Sequence, residues 1–311
     1  MEKTNLYQVI TDKFIEALKG GRIPWRKPWG GQNSNYSYLN RMLIQMQAEE
    51  RYSKTMEAEA AEAMVEKVCA GHFYTFNAIQ KMEGAKVNTG AKSYMVTFFT
   101  FFQPKDENGE PAMITNSRGE LVPKLFPLLK YYRIFSEYDC TGIPEGAKAK
   151  NAILPLDAAE EIISDYVRRN KPLRLCVCNS NRAYYSPTSD RIVLPKMEQY
   201  KDRNEFYSTA FHEITHSTGH QSRLDRLANG VAAAFGGEDY SREELVAEMG
   251  AAMCLGRLGV DSSKTFRNSV AYIQGWLQAL QNDNRMIFWA ASRAEAAVKY
   301  IFNAKDNERR I

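Results

Sequence analysis

The sequence predicts an α+β protein of two domains, and three observations support this prediction. The chain of 311 residues is long for one compact core, because domains mostly contain about 100–200 residues. Helical periodicity at the start gives way after Phe73 to short β-rich runs. The later stretch TGIPEGAKAKNAILP has the composition of a linker. We therefore predict one domain at 1–145 and a second at 146–311.

In the first half, a helix is predicted from about residue 5 to residue 19. Apolar residues recur there every four positions, and the pattern stops at Gly20. A second helix is predicted at 41–64. Beyond Phe73, the runs YMVTFFTFF and LKYYRIF predict strands separated by the polar turn PKDENGE. The first domain is therefore expected to be α+β.

The second half mixes the two element types again. LDAAEEIISDYVRRN predicts a helix, whereas LRLCVCNS and RIVLP predict strands. Further helices are expected at 204–217, from Ser241 onward and over a long C-terminal stretch.

Composition limits the class of protein and its location. A hydrophobic fraction of 44% and a charged fraction of 25% are ordinary for a globular chain. The N-terminal residues lack the pattern of an export signal, and the longest nearly apolar run, 94–102, is too short to span a membrane. Five cysteines do not form a paired disulfide framework. We expect a soluble, cytoplasmic protein without a membrane partner.

The segment His212-Glu213-Ile214-Thr215-His216 matches the H-E-x-x-H pattern. On a helix, the two histidines lie one turn apart and point away from the apolar face. This spacing suits a zinc ion that each imidazole binds at about 2.1 Å. The alternative is a helix with two surface or capped histidines.

A catalytic zinc needs a third protein ligand, and the Ser241 helix supplies two candidates, Glu244 and Glu248. Small residues after Glu248 would allow this helix to approach the histidines closely. Glu244 has an alternative role, because Ser241 and Glu244 also fit a capping box. Glu248 is then expected to orient a histidine, or to be the ligand in place of Glu244. His220 would lie too far along a continuous helix to share the ion, so we expect it to face the substrate, to support a ligand or to be a polar helix end.

These residue types predict metal-assisted amide hydrolysis. A zinc ion with three protein ligands keeps a position open for water and lowers the pKa of that water. Glu213 can accept the proton and pass it to a leaving amine.

A loop after the first helix interleaves two indoles with three cations, which is the composition of single-strand nucleic-acid sites. The alternative is a structural loop whose indoles fill the core. A second loop farther along adds lysines. The candidate nucleic-acid contacts are Arg22, Trp25, Arg26, Lys27, Trp29, Lys86 and Lys92.

Several longer segments resemble the ArdC-type antirestriction proteins of conjugative plasmids and mobile elements, which are related to the N-terminal region of TraC-type plasmid primases. They include ITDKFIEALKGGRIPWRKPW, YTFNAIQKMEGAKVNTGAKS, YSTAFHEITHSTGHQSRLDR and SREELVAEMGAAM. The resemblance implies an N-terminal domain that binds single-stranded DNA and a C-terminal zincin-like metallopeptidase domain. It also implies that Glu244 binds the metal and that Glu248 supports the site.

Our leading hypothesis is a mobile-element protein that protects incoming DNA, binds single strands and carries a zinc peptidase-like site. Mn²⁺ is an alternative to zinc, and a protein or peptide is the expected substrate. Two alternatives remain at this point: a non-catalytic DNA-binding protein with a structural metal, and a protease that clears proteins from DNA.

Overall fold

The computed structural model describes residues 5–25, 36–115, 119–144, 156–227, 238–260 and 269–303. Within them the helices are α1 (Leu6–Lys19), α2 (Tyr38–Tyr52), α3 (Ala58–Ala70), α4 (Phe76–Gln80), α5 (Ala158–Arg169), α6 (Arg203–Ser217), α7 (Glu238–Arg257), α8 (Ser269–Asn282) and α9 (Met286–Ile301). The strands are β1 (Phe73–Thr75), β2 (Lys86–Val87), β3 (Tyr94–Phe102), β4 (Met113–Thr115), β5 (Leu121–Pro123), β6 (Phe126–Ser136), β7 (Cys140–Thr141), β8 (Arg174–Cys178), β9 (Tyr184–Ser186) and β10 (Arg191–Pro195). The predicted α+β class is confirmed.

Contacts divide the chain into two compact units. The first contains the residues up to Val9 and Phe73–Ile143, and the second contains Ile10–His72 and the chain from Pro144 onward. The second junction falls near the predicted boundary at residue 145. Residues 10–72, however, pack with the second half of the chain, so the compact units do not follow the predicted division into 1–145 and 146–311.

The first unit is built on an antiparallel sheet with the strand order β1-β6-β3. Two small antiparallel pairs accompany it, β2 with β7 and β4 with β5. Its core lies at the β1 end of the sheet, where Tyr94, Val96 and Ile134 are at most 1% exposed.

The second unit combines helices with a sheet of order β8-β10-β9, in which β8 and β10 are parallel. Helix α6 packs on β9, β10 and α7, while α9 contacts α7 and α2. The sheet and α7 therefore fix the position of α6. Among the described residues, no helix is both long and apolar enough to cross a membrane.

The single helix expected at 41–64 is wrong, because the segment forms two helices, α2 and α3. The N–H groups of Thr55 and Met56 both donate to the carbonyl of Tyr52, which closes α2 in a turn. This turn contains neither Gly nor Pro, so it carries none of the strong stop signals that sequence patterns detect.

Candidate metal centre

Helix α6 carries the H-E-x-x-H motif, and a capping interaction fixes where it begins. The side chain of Asp202 accepts a hydrogen bond from the N–H of Glu205 at 3.0 Å. The predicted apolar face of the helix is buried. The side chains of His212 and His216 keep 15% and 14% of their surface exposed. Packing thus holds one face of α6 and leaves both imidazoles accessible.

Three potential ligands converge beside this helix. The Nε2 atoms of His212 and His216 are 3.1 Å apart. The carboxylate of Glu244 lies 3.5 Å from Nε2 of His212 and 3.4 Å from Nε2 of His216. Bonds of about 2.1 Å to a tetrahedral ion separate neighbouring ligand atoms by roughly 3.4 Å. The donor set therefore fits one divalent ion.

Glu244 reaches the histidines from helix α7. This helix begins at Glu238, so Ser241 lies inside it and the capping-box interpretation of Glu244 is wrong. Burial raises the pKa of Glu244, but hydrogen bonds from His212 and His216 outweigh burial and hold this pKa far below its usual range. The carboxylate is thus anionic, as metal binding requires.

The close approach of α6 and α7 depends on Gly250. A Cβ atom built on Gly250 would lie 2.5 Å from Cγ2 of Thr215, which is too short for two carbon atoms. The following Ala251 and Ala252 are also buried. The expectation that small residues permit close helix packing is confirmed.

Glu243 supports His216 from the side opposite the candidate ion, a role that the sequence did not suggest. Its Oε1 lies 3.3 Å from Nδ1 of His216. A carboxylate only accepts hydrogen bonds, so it keeps the proton of a neutral His216 on Nδ1 and leaves the Nε2 lone pair for a metal. Burial lowers the pKa of His216, but Glu243 and Glu244 outweigh burial and raise it well above its usual value.

Arg226 holds Glu243 in place. Its Nε and Nη2 donate to the two carboxylate oxygens of Glu243 at 3.0 and 2.8 Å. Nη2 also donates to the carbonyl of Thr215 at 2.8 Å, and Nη1 donates to Oγ1 of Thr218 at 2.9 Å. One guanidinium therefore links the C-terminal end of α6 to α7.

A second buried arginine, Arg223, ties the same end of α6 to the sheet. Its Nε donates to the carbonyl of Ser217 at 2.6 Å. Its Nη1 donates to Oδ2 of Asp190 at 3.0 Å, and its Nη2 donates to the hydroxyl of Tyr185 at 3.1 Å. Neither arginine was singled out from the sequence, since the pairing needs partners on distant elements.

The other predicted residues of the site have distinct positions. Glu213 is 8% exposed and belongs to the charges that act on both histidines. Glu248 is buried farther along α7 and is not part of the group formed by His212, His216 and Glu244. His220 lies beyond the end of α6, where its Nδ1 is 2.8 Å from Oγ of Ser222. It is not part of the group formed by His212, His216 and Glu244.

The predicted nucleic-acid contacts that the structure describes belong to both compact units. Arg22 is exposed, pairs with Glu49 at 3.3 Å and lines a pocket of about 630 Å³ in the second unit. Lys86 and Lys92 are exposed and belong to the first unit. Three others, Arg26, Lys27 and Trp29, lie outside the described residues.

Trp25 requires a correction. Its side chain is 1% exposed and packs edge-on against Trp276, with ring centroids 5.1 Å apart. Its backbone carbonyl accepts a hydrogen bond from the hydroxyl of Tyr38 at 3.1 Å. The prediction that Trp25 stacks on bases is therefore wrong. The alternative, an indole that fills the core, is confirmed.

Each half of the chain matches a known protein family. Residues 4–135 match the N-terminal domain of the anti-restriction factor ArdC, and residues 169–293 match a zincin-like metallopeptidase family, MPTase-PolyVal. The metal-free crystal structure of the antirestriction ArdC protein from plasmid R388 is 30% identical. It superposes with a TM-score of 0.71 over 98% of this chain and 100% of that one. The chain belongs to the ArdC antirestriction protein family.

Other relatives of this ArdC family member extend the comparison. The Mn(II)-bound structure of the R388 ArdC protein is 28% identical, with a TM-score of 0.69, over 98% of this chain and 100% of that one. Together with the zincin-like domain it points to a divalent metal. Two DNA primases TraC of Escherichia coli are 29% and 28% identical over 96% of this chain. The chain spans only 20% and 27% of their respective lengths.

Proposed function

We propose that this ArdC family member is a zinc-dependent peptidase-type hydrolase that also binds single-stranded DNA and protects incoming DNA of a mobile element. The observation that carries the hydrolase proposal is the group of His212, His216 and Glu244, whose ligand atoms lie within 4.8 Å of one another. The two-histidine, one-glutamate set is typical of catalytic zinc sites in peptidases.

Each side chain of the site has a separate task in this mechanism. His212, His216 and Glu244 would hold the ion, which supplies Lewis-acid polarisation and lowers the pKa of a coordinated water. Glu213 accepts the proton of the attacking water on a carboxylate oxygen and delivers it to the nitrogen of the leaving amine. Glu243 and Arg226 fix the orientation of the His216 ring, so that its Nε2 faces the ion.

A structural metal is the alternative, and the number of ligands argues against it. Structural zinc sites are normally closed by four protein ligands. Across the described ranges, the group contains three potential ligands. An open position is what a hydrolytic site needs, because water or substrate must bind there.

The hydrolase proposal is tested with Glu213→Gln, which removes the base but no ligand. We expect cleavage of an unfolded protein such as casein to be lost, while metal content and affinity for oligothymidine stay unchanged. Glu198→Gln, at an exposed position of the same unit, is the matched control. Undiminished cleavage by Glu213→Gln would remove this residue from the mechanism. Metal analysis of His216→Ala tests the ligand set separately.

For DNA, we propose that Trp29 stacks on bases and that the cations meet phosphates. These cations are Arg22, Arg26, Lys27, Lys86 and Lys92. The exposure of Arg22, Lys86 and Lys92 supports this assignment. Because cations neutralise phosphates, log affinity for a single strand should fall with log salt by about 0.7 per phosphate contacted.

A further inference from the structure

The outer ends of strands β3 and β6 form a two-stranded ribbon that exposes many aromatic rings. We define the aromatic ribbon as residues 97–102 of β3 paired with residues 126–131 of β6. Phe101 is 65% exposed, Phe102 56% and Tyr131 51%. The ribbon also exposes Phe98, Phe99, Phe126 and Leu128. Large apolar side chains clustered in this way on a protein surface usually mark a binding site.

The side-chain chemistry of the ribbon narrows the class of partner. All of its exposed large apolar side chains except Leu128 are aromatic. Neither β3 nor β6 contains Asp or Glu, whereas β6 carries Lys130 and Arg133. Lys130 lies directly opposite Phe98 in the register. Aromatic rings that alternate with cations, on strands without carboxylates, favour an anionic partner that contains planar rings.

A cation also lies against the outer end of the ribbon. Nζ of Lys124 is 5.6 Å from the centroid of the Phe126 ring. At the inner end, Arg133 donates a hydrogen bond to Oγ of Ser93 at 3.3 Å. Cations therefore lie at both ends of the ribbon, and Lys130 lies between them.

The stacking of bases in a duplex limits which DNA the rings can contact. Bases in a duplex are stacked about 3.4 Å apart along each strand, so a neighbouring base covers each face. Residues two apart on a β-strand share one face. Exposed rings of one face, such as Phe99 and Phe101, can therefore stack only on bases that are unstacked, as in a single strand.

We propose that the aromatic ribbon is a contact surface for the unpaired bases of single-stranded DNA, with Lys130 and Arg133 meeting the phosphates. This inference rests on the proposed single-strand binding and assigns it a surface on the first unit. A second copy of the chain is a poorer occupant. A two-fold contact through the ribbon would bring the cations of both copies together, and the strands offer no carboxylate to offset them.

The test measures the affinity of the full chain for labelled oligothymidine by fluorescence anisotropy. We expect Phe101→Ala and Phe102→Ala, made together, to weaken binding roughly 5- to 150-fold for each base that no longer has a ring to stack on. Phe101→Tyr keeps a ring and should bind like the unchanged protein. Leu121→Ala removes a side chain that is 72% exposed outside the ribbon and should also bind normally. Lys130→Gln should lower the salt slope by about 0.7.

Two results distinguish failure of the aromatic ribbon inference from failure of the proposed single-stranded DNA binding. If the unchanged protein does not bind oligothymidine, the proposed single-strand binding fails and the ribbon inference fails with it. If the unchanged protein binds and the double alanine variant, still folded, binds equally well, only the ribbon inference is overturned. A dimer that the double variant dissociates without loss of DNA affinity would likewise overturn it and assign the surface to a second copy.

Discussion

His216 shows how a single residue of the candidate centre is prepared for its role. Its Nδ1 faces Glu243 and its Nε2 faces Glu244. In the neutral ring the first contact keeps the proton on Nδ1, so the lone pair is on Nε2, the atom beside Glu244 that would bind the ion. Because Arg226 also holds Glu243, the orientation of the ring does not depend on the metal alone.

Glu243→Gln keeps the shape of this side chain but removes its charge. We expect metal affinity to fall about 10- to 100-fold, since outer partners of metal-bound histidines typically contribute this much. The measurement is a titration against a chelator at constant pH, with Glu198→Gln as the control. Unchanged affinity in a folded Glu243→Gln protein would show that Glu243 only packs beside His216.

At the scale of elements, the geometry of the candidate centre depends on how α6 and α7 pack against each other. His212 and His216 lie on one helix and Glu244 on the other, so the distance between the helices sets the distances between ligands. Gly250 determines how close the helices can come, because its missing side chain leaves room for Thr215.

Gly250→Ala should therefore separate the two helices. We expect a loss of about 1–3 kcal/mol in the free energy of unfolding from overpacking, together with weaker metal binding. Gly275→Ala on α8 is the matched control, because its nearest neighbour would be Oγ of Ser241 at 3.7 Å. That change should be neutral or stabilising by up to about 1 kcal/mol. Adding Thr215→Ala to Gly250→Ala should restore metal affinity, and if it does not, the steric explanation is wrong.

The ion pair between Arg223 and Asp190 predicts how stability depends on pH. Burial raises the pKa of Asp190, but hydrogen bonds from Arg223 and Tyr185 outweigh burial and lower it. An unfolded Asp titrates near pKa 3.9. The lowered native pKa therefore contributes stability above about pH 4, and this contribution is lost as pH falls through the native pKa.

Asp190→Asn removes this contribution while preserving the backbone, because Asn also tolerates the positive φ of 43° at this position. Near pH 7 we expect a loss of up to about 3–5 kcal/mol, since the Arg223 charge stays buried. In denaturant titrations repeated at about pH 3, below the pKa of an unfolded Asp, the variant and the unchanged protein should differ less than at pH 7. Asp165→Asn, at a surface pair, should have little effect at either pH. A difference that does not depend on pH would refute the assignment.

At the scale of the whole molecule, the two compact units are not consecutive in sequence. Residues 10–72 pack with the metal-centre unit. Trp25 contacts Trp276, and the hydroxyl of Thr11 donates to the carbonyl of Asn284 at 2.7 Å. The core of α1 and α2 is therefore completed by helices from the C-terminal half.

A fragment that ends at residue 145 should show this dependence. We expect the backbone amides of α1 and α2 to exchange with deuterium much faster in the fragment than in the full chain, because their packing partners are removed. The inner ends of β3 and β6, whose core lies in the first unit, should keep their protection and serve as an internal control. Equal protection of α1 and α2 in both proteins would contradict the assignment of residues 10–72.

The sequence alone determined the features that depend on neighbours along the chain. The four-residue repeat predicted α1, the H-E-x-x-H helix was identified with its buried face, and the strand patterns of β3, β6, β8 and β10 were recognised. The candidate centre was found in this way because its two histidines and Glu213 lie within five consecutive positions. Backbone geometry converts such spacing directly into a shared helix face.

Only the tertiary structure decided which distant groups meet. It selected Glu244 over Glu248 beside the histidines, paired Glu243 with Arg226, buried Trp25 against Trp276 and left Phe101 exposed at the end of a ribbon. Composition could not separate a buried indole from a stacking one, because burial is decided by residues far away in the chain. Local sequence patterns predict the secondary structure of one segment. Which ligands converge and which side chains stay exposed depends on packing between segments that are distant in the chain.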